Sequence, residues 1–181
     1  QRQMCIRDSQ YTDVSCVDGG ASEKSCYGYQ KRIRNMNIAI IPARGGSKRI
    51  LRKNIREFVG KPMVAYAITA AKQSGLFQSV IVSTEDSEIA SEAEKWGAET
   101  PFVRPEELAD DDTPTGPVVA HAITECRAHG KNGDYVCCIY PAVPFIQIDD
   151  LLNALKLLQQ QPGKFCFPVT EFPSAIQRAL K

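Results

Sequence analysis

The sequence has no apolar run approaching the roughly 20 residues of a membrane-spanning helix, and its N-terminus lacks the apolar core of a secretory signal. Neither a membrane-embedded nor an exported protein is expected. Excess charge is absent too: 22 Lys and Arg stand against 21 Asp and Glu, a formal net charge of +1. A general nucleic-acid binder would carry a global basic field, so that class is disfavoured. Histidine is scarce, at 2 residues, and no Ser-His-Asp arrangement can be inferred. The 7 cysteines include no C-x-x-C pair and their number is odd; disulfide frameworks and zinc sites are therefore disfavoured. Buried reduced thiols are expected at Cys126, Cys137, Cys138 and Cys166, whereas Cys5, Cys16 and Cys26 fall in an irregular N-terminal stretch. That usage suits a reducing cytoplasm. Neither G-x-x-x-x-G-K-[ST] nor G-x-G-x-x-G occurs, which counts against a P-loop enzyme and against a dinucleotide oxidoreductase.

What is present is the composition of one soluble domain: 181 residues, 43% hydrophobic and 24% charged, enough chain to bury a core. From residue 37 onward, strand-like and helix-like segments alternate. The short apolar run 38–41 predicts a buried strand. Helical spacing over 62–71 opens on Pro62 and stops at Gly75. A second strand is predicted over 79–84, and a helix over 85–96 with Asp86 and Glu88 in its acidic first turn and Gly97 as its stop. A short strand over 100–103 leads to an acidic loop containing Asp110, Asp111 and Asp112, expected to be solvated. Then follow a helix over 118–128, a strand over 135–140, a helix over 149–160 and a strand over 165–169. This alternation implies an α/β fold of three α/β/α layers around a mostly parallel sheet. Such sheets bind ligands beyond the carboxyl ends of their strands.

Residues 1–36 do not share the pattern. They have no sustained period and little apolar content, and disorder is the expectation. Gln1-Arg2-Gln3-Met4-Cys5-Ile6-Arg7-Asp8-Ser9 also resembles a translated sequencing-adaptor remnant, so 1–36 reads as a disordered or non-native extension, with Met36 as a plausible start.

The first strand opens into Pro42-Ala43-Arg44-Gly45-Gly46-Ser47-Lys48-Arg49, ending in Arg52-Lys53-Asn54. Two adjacent glycines let the backbone turn tightly and approach a ligand. Arg44, Lys48, Arg49, Arg52 and Lys53 bring more positive charge than a turn needs, although a solvated basic turn is the plainer alternative. Arg44 can make a two-pronged contact with phosphate oxygens, while Lys48 and Lys53 act as point charges. A polyanion such as a nucleoside triphosphate is the expected ligand. His121 reads as a packed histidine, and His129 as a cation suited to a helix C-terminus. Trp96 and Tyr66 read as core.

From Ile40 to Ile55 the loop resembles the signature of the nine-carbon sugar acid cytidylyltransferases, the CMP-sialic acid synthetase group. The resemblance runs from Asn37 to Lys181 and includes Gly60-Lys61-Pro62-Met63, Val82-Ser83-Thr84-Glu85-Asp86, Phe102-Val103-Arg104-Pro105 and His121-Ala122-Ile123. Arg49, the run from Tyr140 to Phe145, and Phe172-Pro173-Ser174-Ala175-Ile176-Gln177-Arg178 resemble the pseudaminic acid branch. The resemblance implies a Rossmann-like, GT-A-like nucleotidyltransferase that moves CMP from CTP to the anomeric hydroxyl of a sialic-acid-like sugar, with Mg²⁺ as cofactor. N-acetylneuraminate and legionaminate stand as alternative acceptors, and an inactive CTP-binding module as an alternative of another class.

The resemblance assigns Arg44, Ser47, Lys48 and Lys53 to the triphosphate, with Arg44, Lys48 and Lys53 as catalytic cations. Gly45 and Gly46 would contribute nucleotide-binding backbone, and Ala43 backbone would lie under the base. Asn54 would touch ribose or phosphate. Arg104 and the loop from Thr113 to Thr115 would frame the cytidine, with Tyr140 where related enzymes carry a glutamine. Leu51, in place of a usual proline, and Ala142-Val143 depart from the pattern. The group continues beyond this point with an Asp-x-Asp segment implicated in magnesium binding, so 37–181 is expected to be an incomplete domain without its own metal ligands. A homodimer is implied for the full-length form.

Overall fold

The computed structural model describes residues 4–7 and 37–169. Strand β2 (Asn37–Pro42) lies at its centre, with five consecutive buried residues. Strand β5 (Ser79–Ser83) is buried throughout, as expected of a parallel strand covered on both faces. Between them in sequence come a two-stranded hairpin, β3 (Glu57–Phe58) and β4 (Lys61–Pro62), and helix α1 (Met63–Gln73). Helix α2 (Ser87–Lys95), helix α3 (Thr115–Ala128), strand β6 (Tyr135–Cys138) and helix α4 (Ile148–Gln160) follow.

The main sheet has the order β1-β6-β2-β5, where β1 is Met4–Arg7. β2 runs parallel to both β5 and β6, placing Ile40 opposite Ile81 on one side and Cys138 on the other. Side chains alternate between the faces. Ala39 and Ile41 face one way and pack with Val64 and Ile68 of α1, Ile89 of α2 and Leu151 and Leu158 of α4. Ile38, Ile40 and Ile81 face the other way, against Phe102 and the Val119, Ala122 and Cys126 side chains of α3. The three-layer α/β/α architecture expected from the sequence is therefore present. Burying each of these isoleucines contributes about 1.5–3 kcal/mol.

The structure differs from the sequence reading in several places. Met4–Arg7, within the segment expected to be disordered, pairs antiparallel with the outer edge of β6. The unpaired groups of a sheet edge are a template for such an addition. Residues 1–3, 8–36 and 170–181 lie outside the described residues.

Residues 100–103 do not form a strand. Glu99 makes a single parallel bridge with Ile81, and Pro101, which has no N–H to donate, ends the pairing. Residues 165–169 form no strand beyond an isolated bridge at Cys166, and Phe165, Phe167 and Val169 are exposed. Helix α2 starts at Ser87 and not at Glu85, because Asp86 caps it by accepting from the Glu88 and Ile89 N–H groups. Helix α3 starts earlier than expected, at Thr115 behind Pro114.

Candidate functional site

β2, β5 and β6 all end on the same side of the parallel sheet, and the basic loop leaves the carboxyl end of β2 there. Its first residue, Ala43, is buried, and its N–H donates to the Ser83 carbonyl at 2.9 Å. Gly45 N–H donates to Glu85 Oε1 at 2.6 Å. A Cβ on Gly45 would lie 3.0 Å from the Asp86 Cβ and closer still to its carboxylate. Close approach to the turn after β5 therefore explains this glycine. Gly46 faces open space, and the Ser47 N–H folds back to the Gly45 carbonyl at 2.8 Å.

The returning arm is fixed by Asn54, 3% exposed, whose Nδ2 donates to the Arg44 carbonyl at 2.8 Å. Its Oδ1 is buried without a hydrogen-bond partner. Arg104 is also 3% exposed. Its Nε donates to Ser83 Oγ at 3.2 Å, its Nη2 donates to the Ser83 carbonyl, and its Nη1 lies 3.9 Å from Glu85 Oε2. Burial lowers the Arg104 pKa, and Glu85 opposes that shift.

Together these segments enclose a cleft of about 240 Å³. Arg44, Lys53, Asn54, Arg104, Thr113, Thr115 and Tyr140 line it, along with Pro42, Leu108, Asp110, Asp111, Val118 and Pro141. The Thr115 hydroxyl and the Tyr140 hydroxyl are 3.0 Å apart, joining α3 to the segment after β6. Seven of the residues that the resemblance assigns to the nucleotide thus meet in one cleft. Ala43, Gly45, Gly46, Ser47 and Lys48 belong to the loop beside it and not to its lining.

The acidic loop is not simply solvated as expected. Arg44 Nη2 lies 2.6 Å from Asp111 Oδ1, and Lys48 Nζ pairs with Asp111 Oδ2. Arg44 Nη1 also donates to the Asp110 carbonyl. Asp111 is held below the ordinary carboxylate range by hydrogen bonds from Lys48 and then Arg44, and Lys48 is raised by the same contact. Asp110 turns its own loop, its Oδ1 accepting from Thr113 N–H at 2.6 Å and Asp112 N–H at 3.0 Å. An anionic group thus already bridges two of the loop's cations. The contact joins residues 63 or more positions apart, and one-dimensional charge patterning carries no signal for it. Lys53 lines the cleft and makes no ion pair among the described residues.

No group of three or more His, Cys, Asp or Glu among the described residues could hold a metal ion. The carboxylate that faces Arg44 and Lys48, Asp111, is engaged by them, so these residues do not by themselves fit a magnesium site. His121 packs edge-on against Phe102 at 5.7 Å, away from the cleft lining. Cys126, Cys137 and Cys138 are buried in the core. No helix among the described residues is long and apolar enough to cross a membrane.

A family model described as cytidylyltransferase matches residues 38–176, most of the chain. The chain belongs to the cytidylyltransferase family. Among relatives, this cytidylyltransferase chain is 46% identical over 144 residues to a pseudaminic acid cytidylyltransferase of Campylobacter jejuni serotype O:2, covering 80% of this chain and 62% of that protein. It is 35% identical over 120 residues to the CMP-N,N'-diacetyllegionaminic acid synthase of Legionella pneumophila, covering 66% of this chain and 52% of that one. It therefore spans less than two thirds of the length of these relatives. Among solved structures, a CMP:2-keto-3-deoxy-manno-octonic acid synthetase complexed with CTP aligns with a TM-score of 0.59 at 22% identity, over 70% of this chain and 48% of that chain. That likeness establishes the shared fold.

Proposed function

We propose that this chain supplies the CTP-binding part of an enzyme that transfers CMP from CTP to a nine-carbon keto-sugar acid. Pseudaminic acid is the favoured acceptor, because a pseudaminic acid cytidylyltransferase is similar over 80% of the chain. The observation that carries the reading is the cleft: Arg44, Lys53, Asn54 and Arg104 converge at the carboxyl ends of the parallel strands, beside Lys48.

In the proposed reaction the C2 hydroxyl oxygen of the sugar attacks the α-phosphorus of CTP. The bond from that phosphorus to the bridging oxygen breaks, pyrophosphate leaves with the electron pair, and the hydroxyl proton passes to solvent. Little covalent chemistry is asked of the protein; positioning and charge stabilisation supply the acceleration. Arg44, Lys48 and Lys53 would offset charge on the leaving pyrophosphate, with Gly45, Gly46 and Ser47 shaping the loop around it. Asn54 Oδ1, buried and unpartnered, is suited to accept from a ribose hydroxyl. Arg104, Thr113, Thr115 and Tyr140 would frame the cytidine above the Ala43 backbone. Magnesium would accompany the triphosphate, and the full-length protein would work in the cytoplasm as a homodimer.

The test is pyrophosphate release from CTP by the full-length protein, with pseudaminate, legionaminate and N-acetylneuraminate compared as acceptors. Turnover with pseudaminate foremost supports the reading. CTP binding by a full-length protein inert towards all three acceptors would contradict it and favour a nucleotide-binding module.

A further inference from the structure

Arg52 is one of five cations in the basic loop, yet its side chain turns away from the cleft lining. Its Nη2 donates to Asp86 Oδ1 at 3.1 Å, its Nη1 donates to Asp86 Oδ2, and Nη2 also reaches Glu88. The Arg52 backbone has φ 55°, a left-handed conformation that a non-glycine residue keeps only where its surroundings hold it. That residue closes the turn: its carbonyl accepts from the Ile55 and Arg56 N–H groups at 3.1 and 2.9 Å. Lys53 and Asn54, both lining the cleft, come directly after it.

The outgoing arm of the loop is tied to the same place. Gly45 donates to Glu85 at 2.6 Å and packs so closely on Asp86 that a Cβ would collide. Asp86 in turn is fixed as the cap of α2. One turn after β5 thus grips both arms of the basic loop.

We infer that Arg52 is a positioning residue, clamped by Asp86, that sets the backbone from which Lys53 and Asn54 meet the nucleotide, and is not itself a phosphate ligand. The inference rests on the proposed CTP reading for its ligand, but the clamp itself can be tested without nucleotide. Bidentate arginine–carboxylate pairing fixes geometry as well as charge, which is what a flexible loop of this composition needs.

Asp86→Asn is the informative variant. Asparagine caps a helix about as well as aspartate, so α2 is kept while the charged clamp is lost. CTP and cytidine titrations and limited trypsin digestion of the 181-residue chain, each preceded by a thermal melt, would compare wild type, D86N, R52A and the double variant. The expected result is roughly tenfold weaker CTP binding in each single variant, with a smaller loss for cytidine, which meets Asn54 but not Lys53, as follows from misplacing otherwise intact contacts. The double variant should be no weaker than either single one, because both changes break one clamp. D86N should also be cut faster after Lys48 and Arg49. Arg52→Lys, which keeps the charge without the fork, should recover part of the loss and covers the case in which R52A does not fold. Unchanged or tighter CTP binding in D86N, or strictly additive losses, would overturn the inference by making Arg52 a direct ligand or a bystander. If wild type binds no CTP, the proposed function fails, and the digestion rates alone decide the clamp: faster cutting of D86N supports it and equal rates refute it.

Discussion

Asp111 Oδ1 lies 2.6 Å from Arg44 Nη2, so a carboxylate on the loop before α3 occupies a cation of the loop after β2. The same carboxylate pairs with Lys48. Phosphate oxygens and a carboxylate compete for the same donors, so a triphosphate held as proposed by Arg44 and Lys48 would have to displace Asp111. Asp111→Asn should therefore tighten CTP binding by up to about fivefold, the range for a partly exposed charge pair. Calorimetric titration of the variant and wild type checks this; weaker binding would mean that Asp111 helps to hold the ligand.

Lys48 is 83% exposed in its side chain, so removing it leaves the core untouched. Lys48→Ala should weaken CTP binding by roughly tenfold or more, as for a lost hydrogen bond to a charged group. The melting temperature should stay within a few degrees of wild type. A large drop in melting temperature would assign Lys48 a structural role.

Asp86 is held below its ordinary value, first by the hydrogen bond from Arg52 and also by the N–H groups of Ile89 and Glu88, against the cost of burial. A carboxyl depressed in the folded state stabilises the fold above its unfolded pKa of about 3.9, and loses that contribution as pH falls through the lower folded value. The Asp86 contribution should therefore be constant from neutral pH to about pH 5 and decline progressively as the pH falls below about 4. Chemical denaturation of wild type and D86N across that range should show the difference between them shrinking on acidification.

Ile40 is fully buried between β5, β6 and α3. Ile40→Ala should cost about 2–5 kcal/mol through lost burial and the cavity left behind. Urea denaturation followed by circular dichroism measures it. A cost under 1 kcal/mol would mean that the α3 layer does not pack on β2 as described.

The layers were legible in the sequence because 38–41 and 79–84 are short, uninterrupted and bounded by turn signals, and because the helices carry clear stops at Gly75 and Gly97. The cleft was legible where chemistry is concentrated locally: Arg44, Lys53 and Asn54 sit within one loop. The strands expected over 100–103 and 165–169 failed for a different reason. Their short apolar runs describe what a strand would contain without saying whether a partner edge is available, and Pro101 removes the donor the first would need. The roles of Asp86, Glu85 and Asp111 were not legible, because each depends on a partner far away in the chain: the Arg52 guanidinium for Asp86, the Gly45 N–H for Glu85 and the Arg44 guanidinium for Asp111. Glu85 and Asp86 read only as the start of a helix, and the helix cap and the loop clamp proved to share one carboxylate.

In the proposed function the Arg44-to-Asn54 loop and its cleft hold the triphosphate of CTP. Titrating the chain with CTP, CMP and cytidine at low ionic strength tests it most directly. Saturable binding is expected in the order CTP, CMP, cytidine, with the advantage of CTP over cytidine reduced in Lys48→Ala and by added salt. Equal affinities for CTP and cytidine, or an undiminished preference for CTP in Lys48→Ala, would contradict it.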